Sequence, residues 1–237
     1  MATSKSTNIW SKEHADIVVL ADELRLPFLQ LKSLLESLNI DINSLETADT
    51  IMSEAMQLID DLLLSKNVAS GQMELQLEPV GLGALTDDVA SQLYDLGKIY
   101  GCEIITKITH RSSPVMAHRA SIGIALKQIG DMFIRSARSM NLNHIEMVGH
   151  MSGGGATIGF FAEGLNVTQK SLDEARELIA NARQPLHGFL RGSGIQLLVA
   201  DTLLRPYAEG IFVQKLHGSR GLVTRLMPSR QLELVNL

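Results

Sequence analysis

The chain has 237 residues, 45% hydrophobic, 20% charged and only 4% aromatic, with a net charge of −5. This is the composition of a globular protein whose core rests on Leu, Ile, Val and Met, and its charge argues against a whole-molecule affinity for nucleic acid or acidic membranes. Its one cysteine, Cys102, excludes an internal disulfide and fits a reducing cytoplasm, where it is expected to be a buried small hydrophobe.

Residues 1–10 lack the apolar core of a signal peptide, and no apolar run reaches the roughly 18 residues of a membrane span. Residues 12 to 38 then set Leu20, Leu24, Leu31, Leu34, Leu35 and Leu38 on one helical face, with a bend near Arg25 imposed by Pro27. After a break at Asn39 to Asn43, Ser44 or Thr47 caps a second helix, which runs to about Lys66 with a stripe of Ile51, Ala55, Leu58, Leu62 and Leu63. The pair predicts an antiparallel hairpin that buries too little alone. It either joins a second copy in a four-helix bundle or docks on the rest of the chain. Ser65 to Gly71 is the expected hinge, and with no sensor domain in front of the hairpin, any input is expected from the cytoplasm or a partner.

Beyond Gly71 the periodicity changes. Gln72–Leu77 alternates as a strand does, followed by a helix over Leu82–Lys98, a strand over Glu103–Ile108, and a helix over Arg119–Arg138 with Ile122, Leu126, Ile129 and Phe133 facing inward. Strands Asn143–Val148 and Ala156–Phe161 flank the turn Ser152-Gly153-Gly154-Gly155. Helices Ser171–Ala182 and Gly194–Tyr207 come next, the second stopped by Pro206. Strands Ile211–Leu216 and Leu222–Leu226 close the chain around Gly218-Ser219-Arg220-Gly221. The expected class is α+β: a helical hairpin in residues 1–70, then an α/β sandwich in 71–237 with a mixed sheet and helices on one face.

Several short motifs stand in one order along this frame. They are Ala21-Asp22-Glu23-Leu24-Arg25-Leu26-Pro27, Leu58-Ile59-Asp60-Asp61-Leu62-Leu63, the junction Gly71 to Pro79, Gly192-Ser193-Gly194-Ile195, Gly210-Ile211 and the Gly-rich hairpin ending at Pro228. Over residues 12 to 228 the chain resembles the cytoplasmic core of a sensor histidine kinase. Such a core joins a dimerisation and phosphoacceptor hairpin to an ATPase domain of the gyrase, Hsp90, histidine kinase and MutL class. The resemblance puts Asp22 where the acceptor histidine stands, Glu23 at the neighbouring acid and Leu26 at the polar phosphatase residue. His14 lies eight residues before Asp22, roughly 80° around the helix, and is a poor substitute.

The resemblance also implies a vestigial nucleotide site of Gln128, Asp131, Gly164, Gly192 and Gly194. Gln128 and Met132 replace metal-binding asparagines, and a thioether suits Mg badly. Ala162-Glu163-Gly164-Leu165-Asn166 replaces the adenine-reading Asp-x-Gly-x-Gly, so the acidic acceptor is lost. Gly192 and Gly194 persist in the phosphate loop, but Gln196 takes the place of its third glycine. No catalytic residue and no metal site is assigned. ATP with Mg is the only cofactor implied, and the altered residues argue against it. Arg119, Lys127, Arg135 and Arg138 are read as a solvated helix surface, with an anion or acidic-partner site as the sharper alternative. The histidines show no zinc spacing, and there is no Gly-x-Ser-x-Gly elbow.

The expectation is a cytoplasmic, homodimeric pseudokinase of two-component type that holds a response regulator or another kinase, with no membrane or nucleic-acid partner. In it Asp22 is either a plain helix residue or a mimic of phosphohistidine. The alternative is a histidine kinase or ATPase that keeps its activity through Gln128 and Glu163.

Overall fold

A computed structural model of the chain describes residue 31 and residues 42–109, 114–152, 155–180 and 194–228. The chain divides into two compact units, Met1–Met73 and Glu74–Leu237.

In the first unit, helix α1 spans Ile42–Ala69. Its Thr50 hydroxyl donates to the Glu46 carbonyl (2.9 Å), and Gln57 Nε2 donates to Asp61 Oδ1 one turn on (2.9 Å). The buried residues are Met52, Ile59, Asp61 and Ser65. The expected stripe is thus turned: Ile51 is exposed, and the inward face runs through Met52 and Ile59. The helix unwinds where Gly71 takes a positive φ of 72° and the Asn67 carbonyl accepts from both Gln72 and Met73 N–H. The expected first helix, with His14, Asp22, Glu23 and Leu26, lies outside the described residues. Of its stripe only Leu31, helical and exposed, is inside.

The second unit is α+β with a mixed sheet. In order come β1 (Glu78–Gly81), α2 (Leu82–Tyr100), β2 (Glu103–Ile108), β3 (Pro114–Ala117), α3 (Arg119–Met140), β4 (His144–Ser152), β5 (Gly155–Ala162), α4 (Gln169–Ala180), α5 (Gly194–Leu204), β6 (Ala208–Leu216) and β7 (Ser219–Leu226). The main sheet runs β2-β4-β5-β7-β6, with β2 parallel to β4 and the remaining pairs antiparallel; β1 and β3 form a small antiparallel sheet. On one face, Ile145, Met147, Ile158, Phe160, Leu222 and Leu226 are buried together with Ile122, Leu126, Ile129 and Phe133 of α3, the inward residues that the periodicity predicts. On the other face, Val148, Phe161 and Val223 form a second apolar cluster with Phe212 and Leu216. Strand β5 is therefore buried along its whole length and loses any alternation. His118 caps α3 by accepting the Ser121 N–H at Nδ1 (3.3 Å). Gly130 brings α3 so close to its neighbours that a Cβ there would lie 2.4 Å from Leu93 Cδ1 and 2.8 Å from Phe160 Cζ.

Three further expectations are corrected. Gln72–Leu77 is not a strand: residues 74–77 adopt neither helix nor strand, and Leu77 is 44% exposed. Alternation makes a strand possible, but a partner makes it one, and the partnered stretch is Glu78–Gly81 against Pro114–Ala117. The closing turn is not Gly218–Gly221. Ser219 pairs with Leu216, leaving His217 and Gly218 (φ 47° and 91°) as a two-residue turn of type I′. Helix α5 ends at Leu204 rather than Tyr207, because the residue before Pro206 is steered away from the α region.

Candidate functional site

Helix α3 presents Gln128, Met132 and Ser136 at steps of four, so they share one face, and all three are buried. The Met132 side chain is 0% exposed, and the Ser136 hydroxyl donates to the Met132 carbonyl at 2.8 Å. Asp131, on the neighbouring face, accepts from Arg135 Nε at 2.5 Å. Arg135 also donates to the Tyr100 hydroxyl (3.2 Å) and lies 5.8 Å from that ring's centre. Burial works against the Arg135 charge, but the Asp131 carboxylate and the Tyr100 hydroxyl outweigh it, so its pKa stands above the ordinary value. The Asp131 carboxylate is thereby engaged inside the domain.

The four cations on and near α3 do not make one solvated surface. Lys127 is only 7% exposed and Arg135 is tied to Asp131; Arg138 is exposed, and Arg119 meets Asp88 at 2.6 Å in a solvent-facing pair. The sequence reading errs here because helix α3 is buried on more than one side, between α2 and α5 as well as against β5.

The Ala162–Asn166 segment begins at the last residue of β5. Ala162 is buried and brings only a methyl group. Gly164 has φ 73° in an exposed turn, where a side chain would be strained. Leu165 and Val167 are buried, and Asn166 Oδ1 accepts from Arg220 Nη1 at 3.0 Å. Glu163 is exposed on the rim of a cavity of about 530 Å³ shared with Lys107, Glu146, Val148 and Phe161. Those residues belong to the sheet face away from α3, so Glu163 does not restore the carboxylate that Ala162 lacks. Gly194 opens α5 and is buried; Gln196, in the same first turn, is buried with Oε1 meeting no hydrogen-bond donor. Gly192, Asp22 and Glu23 lie outside the described residues.

Tested against Mg with ATP, these side chains fit poorly. Met132 offers a soft, buried thioether, Asp131 is engaged by Arg135, and Gln128 alone supplies a hard neutral oxygen. Among the described residues no group of three or more His, Cys, Asp or Glu side chains is placed to hold a metal ion. Burial pushes the Cys102 thiol up, which disfavours its nucleophilic thiolate.

A cluster that sequence reasoning missed joins α4, α5 and β6. Arg176 Nε meets Asp201 Oδ2 at 2.5 Å and Nη2 meets Oδ1 at 2.8 Å, a two-pronged pair. Arg176 also donates to the Ile211 carbonyl (2.6 Å) and to Asp173 (3.0 Å), and Asp201 accepts the Ile211 N–H (3.3 Å). Burial disfavours the Arg176 charge, but Asp201 and Asp173 more than offset that and raise its pKa. The available signal was Asp201 itself, the one charged residue of α5. Its partners are all tertiary, and the arrangement is a structural clamp.

No protein-family model matches the chain, and no curated protein does. Among solved structures, the chain is similar to full-length ShkA in complex with AMPPNP, with a TM-score of 0.59 and 17% identity over 91% of this chain and 46% of that one. It is also similar to the histidine kinase AdeS of Acinetobacter baumannii, with a TM-score of 0.53 and 15% identity over 89% of this chain and 95% of that one. The chain thus spans less than half the length of the ShkA structure. At such identities the likeness is one of fold, which this chain shares with these two solved structures.

Proposed function

We propose that this chain is a histidine-kinase-like signalling protein of two-component type that has lost its phosphoryl-transfer chemistry and acts by binding. In this reading residues 1–70 are the dimerisation hairpin, paired as a four-helix bundle, and residues 71–237 are the ATPase-like domain. The homodimer holds a response regulator or an active kinase against the bundle, in the cytoplasm. Among the described residues no helix is long and apolar enough to cross a membrane.

One observation carries the proposal. Where nucleotide chemistry calls for free oxygens, α3 and the end of β5 present a buried thioether at Met132, a methyl at Ala162, and a carboxylate at Asp131 held by Arg135. The acceptor position supports the same reading. Asp22 cannot form a phosphoramidate, and Leu26 cannot orient a hydrolytic water. The rival reading, ATP chemistry through Gln128 and Glu163, is disfavoured because Glu163 lies with the opposite face of the sheet.

Thermal melting with and without Mg-ATP tests this. A ligand at a hundred times its dissociation constant adds about 2.7 kcal/mol, which raises Tm by roughly 5–10 °C in a chain of this size. The expected result is no shift, and no radiolabel on the protein after incubation with labelled ATP. A clear upward shift would overturn the binding-only reading in favour of a nucleotide-dependent one.

A further inference from the structure

The two edges of the main sheet are finished differently. Along β6, side chains satisfy both outward groups of Ile211 and the outward N–H of Val213. Ile211 N–H donates to Asp201, the Ile211 carbonyl accepts from Arg176, and Val213 N–H donates to Gln169 Oε1 at 3.0 Å. Along β2, Glu103 N–H donates to the Asn143 carbonyl (2.8 Å) and Thr109 N–H to the Gly149 carbonyl (2.9 Å), so the odd-numbered residues face β4. The backbone groups of Ile104, Thr106 and Ile108 point the other way and meet no partner among the described residues. Beside this edge lies a cleft of about 830 Å³, walled by Ile104 and by Ser91, Tyr94, Asp95 and Lys98 of α2. Tyr94 is 61% exposed, with the Lys98 ammonium 5.4 Å from its ring centre. An unpaired edge is normally blocked or charged against association, and in β6 this fold blocks part of one.

We propose that the β2 edge and this α2 stripe form a two-fold interface with a second copy of the same chain. The argument for that occupant is self-complementarity. Antiparallel pairing about an axis at Ile105 sets Ile104 opposite Thr106 of the second copy, and these exchange both hydrogen bonds. Ile105 then faces its own counterpart at a non-hydrogen-bonded position, where Cα atoms are about 4.5 Å apart. The same register places Glu103 opposite Lys107 of the second copy, and the reverse. Lys107 already holds Glu146 at 2.5 Å, so it stands between two carboxylates. An axis at Thr106 would instead oppose Lys107 to Ile105, so charge selects the first register. Because the axis is perpendicular to the sheet, the two α2 helices lie on the same face and run antiparallel. Each Tyr94 then meets the cleft of the other copy, with Asp95 near Lys98. The inference does not depend on the lost chemistry or on pairing of the N-terminal hairpin.

Register-specific crosslinking of the full chain tests it. In a Cys102→Ser background, Ile105→Cys sits where antiparallel Cβ atoms are about 4.5–5.5 Å apart, close enough for a disulfide after small adjustment. The expected result is a disulfide dimer on a non-reducing gel after mild oxidation. An equimolar mixture of Glu103→Cys and Lys107→Cys chains should crosslink, and neither chain should do so alone. Thr106→Pro removes an edge donor that β4 does not use, once per copy. It should reduce the Ile105→Cys crosslinking about tenfold, the equivalent of two lost hydrogen bonds, with an unchanged circular-dichroism melt. A monomer at Ile105→Cys overturns the interface, and so does crosslinking that Thr106→Pro leaves untouched. If Thr106→Pro unfolds the chain, the mixed pair decides: crosslinking of Glu103→Cys to Lys107→Cys supports the interface, and its absence overturns it.

Discussion

Asp201 shows what a single charge does inside an apolar helix. Desolvating it alone would cost several kcal/mol, so its stability depends on the Arg176 fork and the Ile211 amide. Arg176→Ala leaves that carboxylate nearly buried with one donor, and should lower unfolding free energy by about 3 kcal/mol, read from the urea midpoint at constant slope. Arg176→Lys keeps the charge but loses the second prong, and should fall between the two. Gly130→Ala is instructive because two effects oppose each other. Alanine gains about 1 kcal/mol of helix propensity, but its Cβ would enter Leu93 and Phe160. Overpacking costs about 1–3 kcal/mol, so the variant should melt lower than the parent. At Cys102 the raised thiol pKa predicts slow reaction with a disulfide reagent in the folded chain and rapid, stoichiometric reaction in denaturant. Of these residues, Cys102 was legible from its apolar neighbours. The Asp131–Arg135 pair was not read from the sequence, which put Arg135 on a solvated surface; its burial depends on α2 and α5 closing over α3. Asp22, Glu23 and Gly192 fall outside the described residues.

At the scale of elements, legibility followed the length of the pattern. Helices α2 and α3 show a period of 3.6 over many turns, and the sequence places their starts at Leu82 and Arg119, as found. Strand β2 matches residue for residue. The misses are β1 and β3, four residues each, too short for any period to register. Gln72–Leu77 shows the converse, with a good alternation and no strand to pair with. The β6–β7 turn also escaped, because the Gly-rich run Gly218–Gly221 offered several places for it and the register of Leu216 with Ser219 chose one. That choice holds His217 in a left-handed conformation with φ 47°. A type I′ turn prefers Asn-Gly, so His217→Asn should stabilise the hairpin by roughly 0.5 kcal/mol and Gly218→Ala should cost about 1–2 kcal/mol. Differential scanning calorimetry of both variants checks the opposite signs.

For the whole molecule, the order of elements carried more information than any one motif. The α+β class and the mixed sheet followed from where a period of two gave way to 3.6, because each period marks which face must be covered. The boundary between the units was harder to place, since its best-patterned stretch turned out unpaired. The chain divides after Met73. Glu74 to Leu77 has neither helical nor strand hydrogen bonding, and Glu74, Gln76 and Leu77 are exposed. The nearest basic residue upstream, Lys66, is inside α1, and none follows until Lys98 in α2. Trypsin is therefore a poor probe of this boundary, whereas a glutamate-specific protease meets Glu74 in an accessible, unpaired backbone. Brief digestion of the native chain should cut first after Glu74 and release a fragment that begins at Leu75. That fragment keeps both sheets and helices α2 to α5, so its circular-dichroism melt should remain cooperative. First cleavage after Glu103 in β2, Glu146 in β4 or Glu177 in α4, or a fragment that melts without a transition, would mean that the second unit has no independent core.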